Sequence, residues 1–196
     1  SSIITMDSKQ QYRIMIFTIG SILLFVPLIV LPPSVIIRLA ALWGFIGLSI
    51  TSVMSLNKKF LFQKMGYKFL KLHHTLAVFS LITISLHPIF IAIQAGSLNI
   101  FLPNFTSWRL FFELGGRLAL IFIYIATIAA LLRKKVKEFW LYLHWFMYLA
   151  LILGLVHGIM IGTDFQNSNL IIVIYSLLTF LPLLSFVLLR IKKSKR

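Results

Sequence analysis

The side chains of this chain that could do chemistry are its five histidines, and all of them lie in two apolar stretches. Residues 71–90, KLHHTLAVFSLITISLHPIF, carry His73, His74 and His87. Residues 139–160, FWLYLHWFMYLALILGLVHGIM, carry His144 and His157. His73 and His87 stand fourteen positions apart, and His144 and His157 thirteen. An ionisable side chain inside a segment of spanning length is costly and marks a functional site by default. At 1.5 Å rise per residue, either spacing separates the paired imidazoles by roughly 20 Å along a helix. Each helix therefore presents one imidazole near each face of a membrane. The chain has no cysteine, which excludes disulfides, thiolate metal sites and cysteine nucleophiles. With only four acidic residues, no serine, histidine and carboxylate set suggests hydrolysis.

Two imidazoles facing one another from neighbouring helices are the ligand set of a bis-histidine haem iron, in which the protein sets the potential. Two such pairs predict two stacked haems of b type, with His73 and His144 level at the inner face and His87 and His157 level at the outer face. The plain alternative is hydrogen bonding between helices, which two pairs of near-equal spacing on alternate helices disfavour. One detail departs from ideal geometry. At about 100° per residue, a spacing of fourteen returns to within about 40° of the starting face, but thirteen misses by about 140°. The second stretch must tighten or bend, with Gly154 and Gly158 as places to yield, or meet the two haems from different sides. His74, thirteen from His87, is the other candidate for the inner iron. It leaves the favourable face and is read as a group beside the ligand or at the haem edge.

The elements that position these residues follow from composition. At 60% hydrophobic and 12% charged, with mean hydropathy +0.98, the chain is too apolar for a soluble domain. A span needs about 20 apolar residues, so 196 residues allow about six. The expectation is an all-α membrane protein, one domain over 1–196, with spans near 13–31, 34–56, 69–94, 108–132, 138–161 and 170–189. The lead through Tyr12 is polar. Pro32 and Pro33 stop the first span, Gly44 and Gly47 let a neighbour approach the second, and Pro88 should bend the third beside His87. The connection 95–107 is a polar loop with a few apolar residues.

Of nineteen basic residues, all but Arg38, Arg109 and Arg117 fall in the lead, the second and fourth connections, and the tail. The positive-inside rule then puts both termini in the cytoplasm and makes the number of spans even. The net charge of +15 is distributed as topology rather than on one water-facing surface, so no nucleic-acid partner is expected. The basic face suits anionic membrane lipid or an acidic flavoprotein. On the other side, Arg117 falls about 10 Å inside the fourth span, close to the level of His87. A cation at that depth wants a carboxylate, either a haem propionate or Glu113 at i,i+4 spacing. Arg38 and Arg109 are further propionate candidates, and Lys68 and Lys71 stand near the inner level.

The arrangement of two histidines on each of the third and fifth of six spans, with His87-Pro88 in the first stretch and Phe139-Trp140-Leu141-Tyr142-Leu143-His144 then His157-Gly158 in the second, resembles the ferric reductase-like transmembrane domain of NADPH oxidases, ferric reductases and related bacterial haem subunits. The likeness covers nearly the whole chain. It implies a membrane oxidoreductase haem subunit of the plasma membrane, with two haem b held by His73 with His144 and by His87 with His157. Electrons would pass from a cytoplasmic flavin to oxygen, ferric iron or a protein partner outside. The family usually continues into a dehydrogenase domain for FAD and NADPH. This sequence stops after the sixth span and has no glycine-rich dinucleotide fingerprint, so the FAD or FMN belongs to a missing domain or a separate flavoprotein. A quinol-linked cytochrome b subunit, and a non-redox transporter or assembly protein with proton- or metal-binding histidines, are the alternatives.

Overall fold

A computed structural model describes residues 32–194, and every regular element among them is helical. The expected first span, 13–31, lies outside the described residues, as do the lead and the last two residues. The elements in order are α1 (Pro33–Leu56), α2 (Lys58–Met65), α3 (Lys68–Ala95), a 3₁₀ turn (Leu98–Phe101), α4 (Trp108–Glu113), α5 (Gly115–Leu131), α6 (Arg133–Val136), α7 (Phe139–His144), α8 (Phe146–Ile161), α9 (Thr163–Asn167) and α10 (Asn169–Ser194).

Among the described residues, four segments are long and apolar enough to cross a membrane: α1, α3, α7 with α8 over Phe139–Ile161, and Asn169–Leu188 of α10. The protein is thus a multi-pass integral membrane protein. The expected single helix over 108–132 is instead two, broken at Leu114. The Arg117 amide donates to the Leu114 carbonyl at 3.0 Å, a three-residue step, where a continuous helix would have it reach Glu113. The break falls at Gly115-Gly116, where helix propensity is weakest, each glycine costing about 1 kcal/mol relative to alanine.

The connection 57–71 is not a plain loop, since α2 forms within it. Helix α3 runs through Pro88 without interruption and ends in a Schellman motif: Gly96 takes φ +59°, its amide reaches the Ile93 carbonyl at 3.3 Å, and the Ser97 amide reaches Ala92 at 3.2 Å.

Helix α1 packs most extensively on α3, and α5 on α8. A Cβ on Gly44 would stand 2.7 Å from the Ile84 amide nitrogen, and one on Gly47 would collide with the Ser80 hydroxyl. Both glycines therefore permit the close approach expected of them. The core joins Phe45 and Leu48 of α1, Ala119 and Ile123 of α5, Leu151 and Leu155 of α8, Phe165 of α9 and Tyr175 of α10. Buried hydroxyls are satisfied within their own helices, as in Ser49 to Phe45, Ser80 to Leu76 and Thr179 to Tyr175.

Candidate functional site: two histidine pairs between two helix hairpins

The histidines project from α3 and from α7 with α8, and three of them, His87, His144 and His157, are held from behind by the helix they pack against. His87 Nδ1–H donates to the Ile37 carbonyl of α1 at 3.0 Å. His144 Nδ1–H donates to Ala126 of α5 at 3.0 Å, and His157 Nδ1–H to Glu113 of α4 at 2.6 Å. The Glu113 carbonyl is the one released by the break at Leu114, so the interruption of the fourth span supplies the acceptor that orients His157. The Nδ1 of His73 is buried without a hydrogen bond. The backbone of Thr51 on α1 lies within reach of the ring without closing a hydrogen bond.

These acceptors follow the antiparallel register. Ile37 and Thr51 are fourteen apart, like the histidines of α3, while Glu113 and Ala126 are thirteen apart, like His144 and His157. The hairpin of α4 and α5 with α7 and α8 therefore repeats one contact at two depths, while the α1–α3 hairpin makes it at Ile37 and only faces Thr51 toward His73. An Nδ1 that donates its proton leaves the lone pair on Nε2, the nitrogen directed away from the backbone acceptor.

His73 and His144 lie within electrostatic reach of one another, as do His87 and His157. His73 thus neighbours His144, and His87 neighbours His157. His74 is exposed, with its ring edge-on to His73 at 5.7 Å, whereas His73 is half-buried.

His87 and His157 line a largely apolar cavity of about 280 Å³ between α1, α3, α5 and α8, covered by Ile100 and Phe101 of the 3₁₀ turn and by Phe165. Gly116 faces the His157 ring, and a Cβ there would stand 2.9 Å from Cδ2 and 3.0 Å from Nε2. Only a residue without a side chain leaves that ring nitrogen clear.

The bend expected in the second histidine helix occurs at Trp145, between α7 and α8, and not at Gly154 or Gly158. The Trp145 amide is shared between Leu141 at 3.2 Å and Tyr142 at 3.1 Å, and the Tyr148 amide reaches the Trp145 carbonyl at 2.9 Å. These three-residue steps turn about 20° more per residue than an α-helix and recover part of the angular deficit of a thirteen spacing. Gly154 and Gly158 serve packing instead, against Phe45 and Phe165.

The three arginines have different partners. Arg38 makes a bidentate pair with Asp164, Nε to Oδ2 at 2.8 Å and Nη2 to Oδ1, and both residues line the cavity. Arg38 holds the Asp164 carboxyl below the ordinary carboxylate range. Arg109 pairs with Glu113 at 2.7 Å. Arg117, which also lines the cavity, has no carboxylate partner among the described residues. Its Nη1 donates to the Asn99 and Leu102 carbonyls at 3.0 and 2.9 Å, pinning the 3₁₀ turn over the site.

Asp164, Gly116 and the carbonyls of Ile37, Ala126 and Glu113 were not singled out from sequence. Asp164 carried a usable signal, as one of only two acids on the arginine-bearing side.

A helical membrane bundle with two levels of facing imidazoles defines a transmembrane histidine-pair protein. The family model for the ferric reductase-like transmembrane component matches residues 40–155, more than half of the chain, and the protein belongs to that family. Family membership points to membrane electron transfer and an oxidoreductase role. No curated protein and no solved structure matches the chain.

Proposed function

We propose that the protein is a di-haem b subunit, carrying electrons across the plasma membrane from a cytoplasmic flavin- and NAD(P)H-linked donor to an acceptor outside. The observation that carries this is the hydrogen bonding of His87, His144 and His157, each with Nδ1 held by a facing carbonyl and Nε2 left to ligate. His73, with His144 at the inner level, completes two pairs, and its buried Nδ1 is a polar atom left without a hydrogen-bond partner, as a ring that binds a group absent from the structure would leave it.

Among the described residues, no three metal-ligating side chains converge. His73 with His144, and His87 with His157, are the residues that would hold a haem at each level. When bound, each haem would supply one-electron redox chemistry at its level. Arg117, which has no carboxylate partner among the described residues, would take a propionate at the outer level. Arg38 and Arg109 are already neutralised by Asp164 and Glu113, which makes them weaker candidates. His74, exposed beside His73, lies at the edge of the inner site. Ligation by two histidines leaves no open coordination position, so the acceptor would be reduced at the outer edge beneath the 95–107 loop.

Substitution tests the assignment of levels. His87→Ala should remove one haem b absorbance and retain the other in reduced-minus-oxidised spectra. Equal loss of both signals with the protein still folded by circular dichroism would count against two separate layers.

A further inference from the structure

We propose that the groove between α1, α2 and α10 binds an anionic phospholipid of the leaflet on the lysine-rich side. The groove measures about 400 Å³ and is walled by Ile50, Val53 and Met54 of α1, Phe60 and Leu61 of α2, and Leu181 of α10. That is the size of a small-molecule site, and its chemistry is that of hydrocarbon. Its polar members are few: the Ser49 hydroxyl donates to the Phe45 carbonyl and one N–H of the Asn57 carboxamide to the Val53 carbonyl, each at 2.9 Å. The rest of the wall is hydrocarbon, and Asn57 stands at the lysine-bearing end.

Helix α2 buries none of its side chains, yet it carries Phe60, Leu61, Phe62 and Met65 beside Lys58, Lys59 and Lys64. Phe60 is 59% exposed and Phe62 50%. A short helix with these two kinds of residue lies at a membrane surface, its apolar side chains among acyl chains and its lysines at phosphate depth. Lys58 and Lys59 sit in the chain directly between Asn57 and Phe60, both of which line the groove, and no carboxylate among the described residues pairs with either. Positive charge thus adjoins one end of an apolar slot. Ile50 and Leu181 are exposed on the outer faces of spanning helices, so the slot opens toward the hydrocarbon. An acyl chain with an anionic headgroup satisfies both features. An acidic soluble protein would match the lysines but not the slot. Nothing in this proposal depends on haem.

The test uses the full chain, reconstituted in vesicles of three parts phosphatidylcholine to one part phosphatidylglycerol, then extracted in mild detergent and analysed for retained lipid by native mass spectrometry. The expected result is phosphatidylglycerol enriched several-fold over its bulk fraction. The double variant K58Q/K59Q should return the ratio to bulk. Ile50→Trp, which fills the slot and leaves the lysines intact, should remove the retained lipid. Retention at the bulk ratio in the unaltered chain, or unchanged enrichment in both variants, would overturn the proposal. Because the chain has no cysteine, a benzophenone on Leu61→Cys is a unique probe. Its crosslinking to lipid supports the site, whereas crosslinking to residues 13–31 of the same chain, or to an acidic protein, overturns it.

Discussion

A histidine that is to ligate through one nitrogen is best oriented when the other is held, and at His87, His144 and His157 the backbone does the holding. Such an acceptor fixes the tautomer and raises the basicity of the ligating nitrogen. The histidines and arginines were legible in the sequence because charged or ionisable side chains are rare in spans. Their carbonyl partners were not, since every residue has a carbonyl and only the register of packing decides which one is used.

Asp164 extends the same point to the cavity mouth. Its carboxyl, held below its usual range by Arg38, stabilises the tie between α1 and α9. A depressed folded-state pKa means that this contribution is complete above the unfolded value of about 3.9 and is lost as pH falls through the lower folded value. Asp164→Asn should therefore melt below the unaltered protein at neutral pH, with the difference shrinking in strong acid. Thermal unfolding in detergent at pH 7 and at pH 2.5 checks this, and a constant difference would contradict it.

At the level of elements, span positions were readable to within a residue or two for α1, α3 and the start of α10, because apolar length and bounding prolines or lysines fix them. The interruptions at Leu114 and Trp145 were not readable. The pair Gly115-Gly116 marked the first as weak without saying that it would break. The thirteen spacing required a tightening of the second histidine helix, but glycine weakness suggested the wrong place. The tightening sits at Trp145, one residue from His144, where the helix must set the direction of that ring.

Close approach of α1 and α3 is the other device at this scale, and it sets how near Ile37 comes to His87. Gly44→Ala would place a methyl 2.7 Å from the backbone nitrogen of Ile84, which cannot move cheaply. Overpacking of this kind costs about 1–3 kcal/mol, against about 1 kcal/mol returned by helix propensity. Net destabilisation is expected in a thermal melt, together with weakened haem retention at the outer level more than at the inner.

At the scale of the molecule, two antiparallel helix pairs among the described residues face each other with imidazoles at two depths, and the level of His87 and His157 is roofed by the 95–107 loop under the grip of Arg117. The proposed direction of transfer is favourable, since an electron leaving a negative interior gains about 2.3 kcal/mol per 100 mV. The charge pattern read from the sequence supports the same orientation, with the lysine-rich connections on the donor side. The measurement that tests this account most directly is haem content: a pyridine haemochrome assay and a reduced-minus-oxidised spectrum on the purified, haem-supplied protein. Two haem b per chain, with the absorbance lost stepwise in histidine variants of the two levels, is the result predicted. A folded protein with no haem b signal would contradict it.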